Sequence, residues 1–267
     1  QNRLVVMKTY VINLASDIDR KNFQQEQLKR LEIECEFITA TPVDVIPQET
    51  FDHHYFDWQR PLRKVEVACY YSHRAVWQRI LDENKPALIL EDDALLSLHS
   101  KELLNTLDCL KDADYVQLEA RSRKKLLAKK GIAFTTTSKL HRLYLDRTGA
   151  AGYVLWPSGA KKLIERERKK GIGLADAHIT ACFDLVAYQV EPAVVIQLDQ
   201  CEKFHITAPL DTKSNILNQP KPVDKNKLFF KFKRITSQIR MAIRLLRFAF
   251  RAERREVLLI NKDFYSG

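Results

Sequence analysis

The chain lacks the patterns that mark a membrane-spanning, a secreted or a disulfide-stabilised protein. No stretch approaches the run of about 18 or more apolar residues that a spanning helix requires. Residues 1–6 are too short for a signal peptide and have no apolar core, and Met7 is predicted to be the natural start. The five cysteines are widely spread and form no CxxC pair, so neither a disulfide framework nor a zinc site is predicted. We therefore expect a protein of the reducing cytoplasm.

Internal repeats and nucleic-acid-binding motifs are also absent from the sequence. The 267 residues suffice for one large domain, and the hydrophobic share of 45% is ordinary for a globular protein. The net charge of +10 is concentrated in one segment, because residues 225–255 contain eleven lysines and arginines and one acidic residue, Glu253. The rest of the chain is close to neutral, so the basic character belongs to the C-terminal tail.

The first half of the chain alternates between strand-like and helix-like patterns. Short β-branched or apolar runs predict strands, and capped stretches with helical periodicity separate them. The predicted strands are residues 8–14, 35–40, 87–90 and 115–118, and the predicted helices run from Ser16 or Asp17 to residue 31, over 63–83 and over 103–110. This order predicts an α/β fold with a mostly parallel central sheet.

The second half predicts shorter strands, a helix and a basic tail. Strands are expected at residues 132–137, 140–145, 151–156 and within 187–197, and a helix begins at Pro157. Residues 41–62, rich in proline and aromatic residues, are predicted to form an irregular loop. We expect a core domain over residues 7–208, a linker over 209–224 and a basic helical tail over 225–267.

Three adjacent carboxylates, Glu91-Asp92-Asp93, follow the apolar strand at residues 87–90. Three such groups repel one another, and removing them from water together is costly. A hard divalent cation such as Mg²⁺ or Mn²⁺ would relieve that cost, and the carboxyl ends of strands are where α/β sheets bind ligands. The pattern indicates a metal that holds a diphosphate. A solvated acidic turn is the alternative, and the local pattern does not decide between them.

Two further candidates lie on the predicted helices. His73 shares one helical face with Cys69, Val76 and Trp77, so it is either a site residue or a hydrogen-bonded core histidine. Arg20 lies early in the first helix, where it is either a phosphate ligand or an exposed arginine.

Together these segments resemble glycosyltransferase family 25, which includes hexosyltransferases of bacterial lipooligosaccharide synthesis and relatives of the collagen galactosyltransferases. The resemblance is carried, in the right order, by residues 10–20, 65–77, 87–93 and 148–163, and by Asp176 and Gln197 beyond them. Val65, Val67 and Ala68 depart from the usual glycine and isoleucine-glycine of the second segment. Trp156-Pro157 replaces a more usual polar pair.

The resemblance implies a GT-A type catalytic domain over residues 7–208 that transfers galactose or glucose, with inversion, from a UDP-sugar to a lipooligosaccharide or lipopolysaccharide core acceptor. It implies a divalent cofactor, Mn²⁺ or Mg²⁺, with Asp93 as the main ligand and Glu91 or Asp92 on the metal or the ribose. It also assigns four residues to the nucleotide-sugar site: Asn13, Arg20, Ser72 and His73.

The general base is a choice between two carboxylates. Asp176 matches a family position near the acceptor, although a helix N-terminal acid is an equally good interpretation. Glu119, just after the strand at residues 115–118, is the second candidate. His178 or His205 could add a non-carboxylate metal ligand, while a lone histidine is more often structural.

The basic tail has helical periodicity in both its apolar and its cationic residues. The apolar set is Phe232, Ile235, Ile239, Ile243, Leu246 and Phe250, and the cationic set is Arg240, Arg244, Arg247, Arg251 and Arg254. Such a helix can lie on an anionic bilayer, and residues 225–255 are predicted to hold the protein on the cytoplasmic face of the inner membrane. The alternatives are that the apolar face packs on the core or forms an oligomer. A nucleic-acid partner is not expected.

Two rival functions fit parts of the sequence. A metal-dependent phosphohydrolase or nucleotidyltransferase would also use adjacent carboxylates, but would not need the other matching segments. A catalytically silent sugar- or membrane-binding protein with the same fold would not need the three carboxylates intact.

Overall fold

The computed structural model describes residues 7–146, 148–210 and 226–264, so most of the predicted linker lies outside the described ranges. The strands are β1 (Lys8–Asn13), β2 (Glu36–Thr39), β3 (Ala87–Glu91), β4 (Ala94–Leu96), β5 (Tyr115–Gln117), β6 (Lys125–Ala128), β7 (Ile132–Ala133), β8 (Lys139–Leu145), β9 (Gly152–Leu155), β10 (Ala187–Glu191), β11 (Val195–Gln197) and β12 (Ala252–Arg255). The helices are α1 (Ile18–Arg30), α2 (Gln48–His54), α3 (Lys64–Glu83), α4 (Ser100–Leu107), α5 (Pro157–Lys170), α6 (Ala175–Thr180) and α7 (Lys227–Phe248).

The central sheet is mixed, with the strand order β12-β6-β8-β10-β5-β9-β3-β1-β2 and β7 paired to β8. Strand β1 is parallel to β2 and β3, and β5 is parallel to β10, while the other pairs are antiparallel. The antiparallel share is larger than the sequence predicted. Strands β6, β7 and β8 follow one another without the helical crossovers that parallel neighbours require, so they pair antiparallel, and β9 lies antiparallel between β3 and β5.

Both faces of the sheet are covered, because the inner strands carry apolar side chains on both sides. In β1, Tyr10 and Ile12 face a core shared with α3, α5 and α6, whereas Val11 faces a core shared with α1 and α4. Strand β3 alternates in the same way, with Leu88 and Leu90 on the side of α1. Continuous apolar strands of this kind are typical of sheets buried between two helical layers.

Helix α1 fixes the turn that follows β3 through two buried glutamines. The Gln24 amide donates to the carbonyl oxygens of Asp92 and Ala94, at 3.1 Å and 2.7 Å. Gln27 donates to the Ala94 carbonyl at 3.0 Å and accepts from the Leu96 N–H at 2.8 Å. Asp17 caps the N-terminus of the helix by accepting from the Arg20 N–H. The acidic turn is therefore held by a second element besides its own strand.

The C-terminal segment, predicted as a helical tail over residues 225–267, contains more than a helix. Helix α7 is followed by β12, which pairs antiparallel with β6 and extends the central sheet. Phe264 then packs in a small apolar cluster with Leu95. The sequence of β12 is charged on its exposed side, so its apolar pattern is too weak to be recognised as a strand. Similarly, the loop predicted over residues 41–62 contains the short helix α2.

No helix among the described residues has both the length and the apolar character needed to cross a bilayer.

A buried ion pair joins β6 to the end of β8. The Lys125 ammonium lies 2.8 Å from Asp146, with side-chain exposures of 1% and 4%. Lys125 also donates to the Gln189 side chain at 2.8 Å and to the Glu119 carbonyl at 3.2 Å. Removing one member of such a pair leaves an uncompensated charge in the core.

We therefore expect Lys125→Met to lower the free energy of unfolding by about 3–5 kcal/mol, measured by urea denaturation at neutral pH. The matched control is Lys124→Met, which changes an exposed neighbour and should cost less than about 0.5 kcal/mol. Equal stability of the two variants would contradict the structural role of the pair.

Candidate active site

The candidate site is built around the acidic turn between β3 and β4. Glu91 ends β3, and Asp92 and Asp93 form the turn before β4 begins at Ala94. The Leu198 N–H donates to the Asp93 carbonyl at 3.0 Å, which ties the turn to the segment after β11. The three carboxylates therefore project from a backbone that is fixed on both sides.

Asp92 is satisfied by two residues from the first 20 positions of the chain. Asn13, at the end of β1, donates to one carboxylate oxygen at 2.8 Å. Arg20, on the first turn of α1, donates to the other at 2.9 Å and lies 3.8 Å from Asp93. Burial raises the pKa of Asp92 above its ordinary value, and Arg20 and Asn13 oppose that rise. Both predicted residues thus serve the carboxylate, and their contact with a nucleotide stays a prediction.

Glu91 lies at the end of a buried hydrogen-bond chain. Trp77 donates to the Tyr153 hydroxyl at 2.8 Å, the hydroxyl lies 2.9 Å from His73 Nδ1, and His73 Nε2 lies 3.1 Å from Glu91. Since the hydroxyl has one proton to give, a neutral His73 carries its own proton on Nε2 and donates it to Glu91. His73 is 1% exposed, so it is a buried positioning residue and not an open ligand.

Glu91 also accepts from the side-chain amide of Gln197 at 2.9 Å. Burial alone would raise the pKa of Glu91, but the hydrogen bond from His73, the charge of Arg121 and the Gln197 amide outweigh burial and lower the pKa. Glu91 is therefore the carboxylate of the turn that this surrounding keeps ionised.

Asp93 has the weakest set of partners in the turn. Its closest contacts are the Gln197 amide at 3.4 Å and Arg20 at 3.8 Å. Burial raises the pKa of Asp93 to about 7, and the neighbouring charges of Glu91 and Asp92 add to the rise against the opposing charge of Arg20. A cation next to Asp93 would remove this electrostatic penalty, and an all-oxygen donor set of this kind suits Mg²⁺ or Mn²⁺.

A second group of potential ligands lies nearby. Among the described residues, Cys69, His73 and Glu91 form a group that could hold a metal ion, because one ligand atom of each lies within 4.8 Å of the others. Both nitrogens of His73 are already engaged, and burial raises the pKa of the Cys69 thiol, with the charges of Glu91 and Asp176 adding to the rise. Since a metal needs the thiolate and a free imidazole nitrogen, this group is the poorer cation site.

The two candidate bases lie on either side of one backbone segment. Glu119 is fully buried and accepts from the Ala151 N–H at 3.0 Å, and burial raises the pKa of Glu119 to about 8 against the charges of Arg121 and Lys125. Asp176, at the start of α6, accepts from the Gly149 and Ala177 N–H groups. Burial raises the pKa of Asp176 as well.

Gly149 is required between these two carboxylates. Its φ of +99° lies in the region that favours glycine, and a Cβ atom there would lie 2.5 Å from a carboxylate oxygen of Glu119. The glycine and the two alanines that follow it, part of the fourth matching segment, therefore form the wall of the site by their backbone.

A cleft connects the acidic turn to Asp176. Its inner part is lined by Glu91, Cys69, Gln197, Arg121 and Asp176, among others. Its outer part shares Arg121 and Asp176 and continues past other side chains: Trp58, Arg60, Arg123 and Lys203. The structure thus brings Glu91 and Asp176 to one cavity, whereas Glu119 lies behind its wall.

Of three other predicted residues, Ser72 and His178 have structural contacts and His205 is exposed. The Ser72 hydroxyl accepts from the Thr41 N–H and donates to the Ala68 carbonyl, both at 2.9 Å, so it fixes the segment after β2. His178 is buried, packs on Trp77 and lies 3.0 Å from the Leu163 carbonyl, and burial lowers the pKa of His178 to about 4. His205 is exposed after the short 3₁₀ helix Glu202–Phe204. Of the two interpretations of His178, a metal ligand or a structural histidine, the structure favours the second, because the side chain is fully buried in the core.

The structure adds Arg121 as a site residue that sequence reasoning missed. Its guanidinium donates to the Gln197 side chain and lies 3.5 Å from Asp199 and 3.8 Å from Glu119. The local sequence gives no signal for it, because three more basic residues, Arg123, Lys124 and Lys125, follow within four positions and the run resembles an ordinary solvated segment.

Comparisons with known proteins identify the family of this chain. The model of glycosyltransferase family 25, described as an LPS biosynthesis protein family, matches residues 6–179. A glycosyltransferase of Haemophilus influenzae is 27% identical over 70% of this chain and 69% of its own length. The lipooligosaccharide biosynthesis protein lic2B of Haemophilus influenzae is 27% identical over 72% and 76% of the two chains. The lacto-N-neotetraose biosynthesis glycosyltransferase LgtE of Neisseria gonorrhoeae is 26% identical over 74% and 76%.

The matched residues include the acidic turn and its partners Asn13, Arg20 and His73, as well as Asp176. The predicted resemblance is therefore confirmed. The chain belongs to glycosyltransferase family 25 and is a glycosyltransferase.

Proposed function

We propose that this chain is an inverting, GT-A type enzyme that transfers a hexose, galactose or glucose, from a UDP-sugar to a lipooligosaccharide or lipopolysaccharide core acceptor. The observation that carries the proposal is that Glu91 of the acidic turn and Asp176 line one cleft. A transferase needs a place for the leaving diphosphate and a base for the acceptor within one cavity, and this cleft offers both. The names of the relatives support the acceptor class.

In the proposed reaction, an acceptor hydroxyl oxygen bonds to the anomeric carbon while the bond from that carbon to the UDP phosphate oxygen breaks. The electron pair of the broken bond leaves with UDP, and the hydroxyl proton passes to a carboxylate of the enzyme. The products are the glycoside, UDP and one proton. Attack from the side opposite the leaving group inverts the anomeric carbon.

Asp176 is the better candidate for the base. It lines both parts of the cleft, whereas the Glu119 side chain is fully buried and already accepts from Ala151. The raised pKa of Asp176 also makes it a stronger base than an ordinary aspartate. We assign Glu119 the role of fixing the 149–151 segment, because its carboxylate packs against Gly149 and accepts from Ala151.

Asp93 would hold a divalent cation, Mg²⁺ or Mn²⁺, with Glu91 as a second oxygen ligand. When bound, the cation offsets the negative charge that builds on the leaving diphosphate. Asn13 and Arg20 keep Asp92 in place beside it, and Arg20 can extend toward a phosphate oxygen from its present position 3.8 Å from Asp93. His73 and Gln197 fix the two oxygens of Glu91.

The test of this function is a donor screen. UDP-galactose, UDP-glucose and UDP-N-acetylglucosamine are mixed with the protein in Mn²⁺ or EDTA, and UDP release is measured with and without core oligosaccharide. We expect one hexose donor to be used, with acceptor-dependent UDP release that EDTA abolishes. Because protons compete with metal at Asp93, whose pKa is about 7, more Mn²⁺ should be needed at pH 6 than at pH 8.

Asp93→Asn should lower kcat by at least about 100-fold while the protein stays folded. The matched control is Asp82→Asn, an exposed aspartate on α3 far from the turn, which should keep full activity. Acceptor-independent hydrolysis as the main reaction would favour a phosphohydrolase, and unchanged activity of the Asp93 variant would contradict the assigned metal site.

The base assignment predicts different pH profiles for two variants. Asp176→Asn should lower kcat by about 100-fold or more and remove the acidic limb of the kcat profile, because no group then takes the proton. Glu119→Gln keeps its contact with Ala151 and should reduce kcat less than about tenfold, with the acidic limb retained. Reversal of this order would assign the base to Glu119.

Helix α7 supports the proposal that the enzyme works on an anionic membrane surface, peripheral to the cytoplasmic side of the inner membrane. One face of the helix packs on the domain: Phe230 is buried and stacks on Phe56, while Met241, Leu245 and Phe248 pack near β8. The opposite face carries a second apolar stripe that stays exposed, with Phe232 at 67%, Ile239 at 53% and Leu246 at 75%, and Phe250, just after the helix, is 93% exposed.

This stripe is the apolar set predicted from the sequence, and the alternative that it packs on the core does not hold for the described chain. At 22 residues the helix is about 33 Å long, and exposed basic side chains flank the stripe: Lys231, Arg234, Arg240 and Arg247. An apolar stripe between cations fits the interface of a bilayer with anionic headgroups.

We expect Phe232→Ser/Ile239→Ser/Leu246→Ser to reduce co-sedimentation with anionic phospholipid vesicles by at least about tenfold, without changing thermal stability. The control replaces three exposed apolar residues elsewhere, Ile18, Leu98 and Ile132, by serine and should leave vesicle binding unchanged. Binding that persists in the α7 variant would refute membrane docking. A concentration-dependent dimer of the wild type, abolished in that variant, would assign the stripe to oligomerisation instead.

A further inference from the structure

The outer part of the active-site cleft is strongly basic. The proposed transfer reaction gives its cationic side chains no role. It has a volume of about 410 Å³, which is in the usual range for ligand pockets. Four cationic side chains line it, Arg60, Arg121, Arg123 and Lys203, and Asp176 is the acidic residue among its lining groups.

Two of these cations are already neutralised by the protein. Arg60 forms a two-pronged ion pair with Glu66, at 2.6 Å and 2.9 Å. Arg121 lies 3.5 Å from Asp199 and donates to Gln197. These two arginines therefore shape the cleft more than they attract a ligand.

The other two cations, Arg123 and Lys203, have no carboxylate partner within ion-pair distance among the described residues. Both are exposed, and the contact of Lys203 is with the neutral side chain of Gln200 at 3.3 Å. Two uncompensated positive charges in one part of the cleft match a ligand group of charge about −1 to −2, which is the charge of a carboxylate or a phosphate.

An aromatic platform lies in the same part of the cleft. The Trp58 ring packs closely on Gly173, where a Cβ atom would lie 2.7 Å from the ring, and its side chain stays partly exposed. An aromatic face beside charged groups is a common way to hold a sugar ring together with its polar substituent.

The position of the outer part of the cleft suits binding of the acceptor better than binding of the donor. Trp58 and Arg60 line the cleft, and the loop that carries them also contacts α7. In these contacts Phe56 stacks on Phe230, and the Asp57 carbonyl accepts from Lys233 at 3.0 Å. Gln59 donates to Ser237 at 2.7 Å. An acceptor anchored in a membrane under α7 would approach from this side. Arg60, Arg123 and Lys203 line the outer part and not the inner part beside Glu91, where the diphosphate is expected.

We propose that this outer cleft binds an acidic saccharide acceptor, with Arg123 and Lys203 contacting a phosphate or carboxylate substituent and Trp58 supporting the sugar ring. The inference rests on the proposed transfer to a core saccharide and specifies the chemistry of that acceptor. The reacting hydroxyl then lies near Asp176, inward of the charged substituent.

The test measures both binding and transfer with three forms of deacylated core oligosaccharide: untreated, phosphatase-treated and carboxyl-reduced. Calorimetry gives Kd without any need for turnover, and the donor found in the screen gives KM. We expect Arg123→Ala and Lys203→Ala each to weaken binding of the untreated acceptor by about tenfold, and the double variant by more. The Kd of UDP should not change, and Lys124→Ala, an exposed lysine outside the cleft lining, should behave as wild type.

The treated acceptors identify the anionic group. Weaker binding after phosphatase treatment assigns a phosphate, and weaker binding after carboxyl reduction assigns a carboxylate. In either case raising the salt concentration should weaken the binding of the charged acceptor and not that of its neutralised form.

Three results would overturn the proposal: equal Kd for charged and neutralised acceptors, binding of none of the three forms, or loss of UDP affinity in the Arg123 and Lys203 variants. The last would assign the cleft to the donor diphosphate. Failure of the proposed function has a different signature, because then no UDP-sugar is used with any acceptor even though the saccharide Kd values remain measurable.

Discussion

Three carboxylates crowded at the end of one buried strand are the constraint around which this molecule is built. Each would repel the others, and the fold supplies close partners for two of the three. Asp92 is satisfied by Asn13 and Arg20, and Glu91 by His73 and Gln197. Asp93 remains without a close partner, and burial with its neighbours' charges raises the pKa of Asp93 to about 7. The protein thus keeps one costly carboxylate, which is the expected arrangement where a cation is to bind.

The partners of these carboxylates come from elements that are distant in sequence. Asn13 ends β1, Arg20 and Gln24 lie on α1, His73 lies on α3, and Gln197 ends β11. The parallel pairing of β1 with β3 brings Ile12 level with Glu91, so Asn13 reaches the turn without a long loop. Helix α3 lies against the opposite side of the sheet, and its His73 contacts the Tyr153 hydroxyl with one ring nitrogen and Glu91 with the other. The site therefore depends on both helical layers, and loosening either one would change the charge balance of the turn.

Helix α7 connects the site to the surroundings of the molecule. Its packed face holds the loop that carries Trp58 and Arg60, and its other face is an apolar stripe in solvent. A membrane under that stripe would lie beside the outer cleft, where the proposed acidic acceptor binds. One helix would then both position the enzyme on the bilayer and support the wall that recognises a lipid-anchored saccharide.

Local patterns predicted the parts of the fold that depend on burial and capping. The strand before Glu91, the long helix ending at Asn84 and the helix beginning at Pro157 were all recognised, because apolar periodicity and end signals are local. The antiparallel share of the sheet and the strand β12 were missed. Strand pairing depends on partners far away in the chain, and the charged sequence of β12 has almost no apolar signal.

The sequence by itself determined the family, the acidic turn and the apolar stripe of α7, because each is a run of neighbouring residues with its own physical signature. Only the tertiary structure decided what surrounds them. It showed that His73 and Asn13 contact the carboxylates, that His178 is a core residue, that Glu119 lies behind the wall that Asp176 faces, and that Arg121 lies in the cleft. The physical reason is that the role of a side chain depends on its burial and on partners that sheet pairing and helix packing bring to it. Neither its burial nor these partners can be predicted from the neighbouring residues in the sequence.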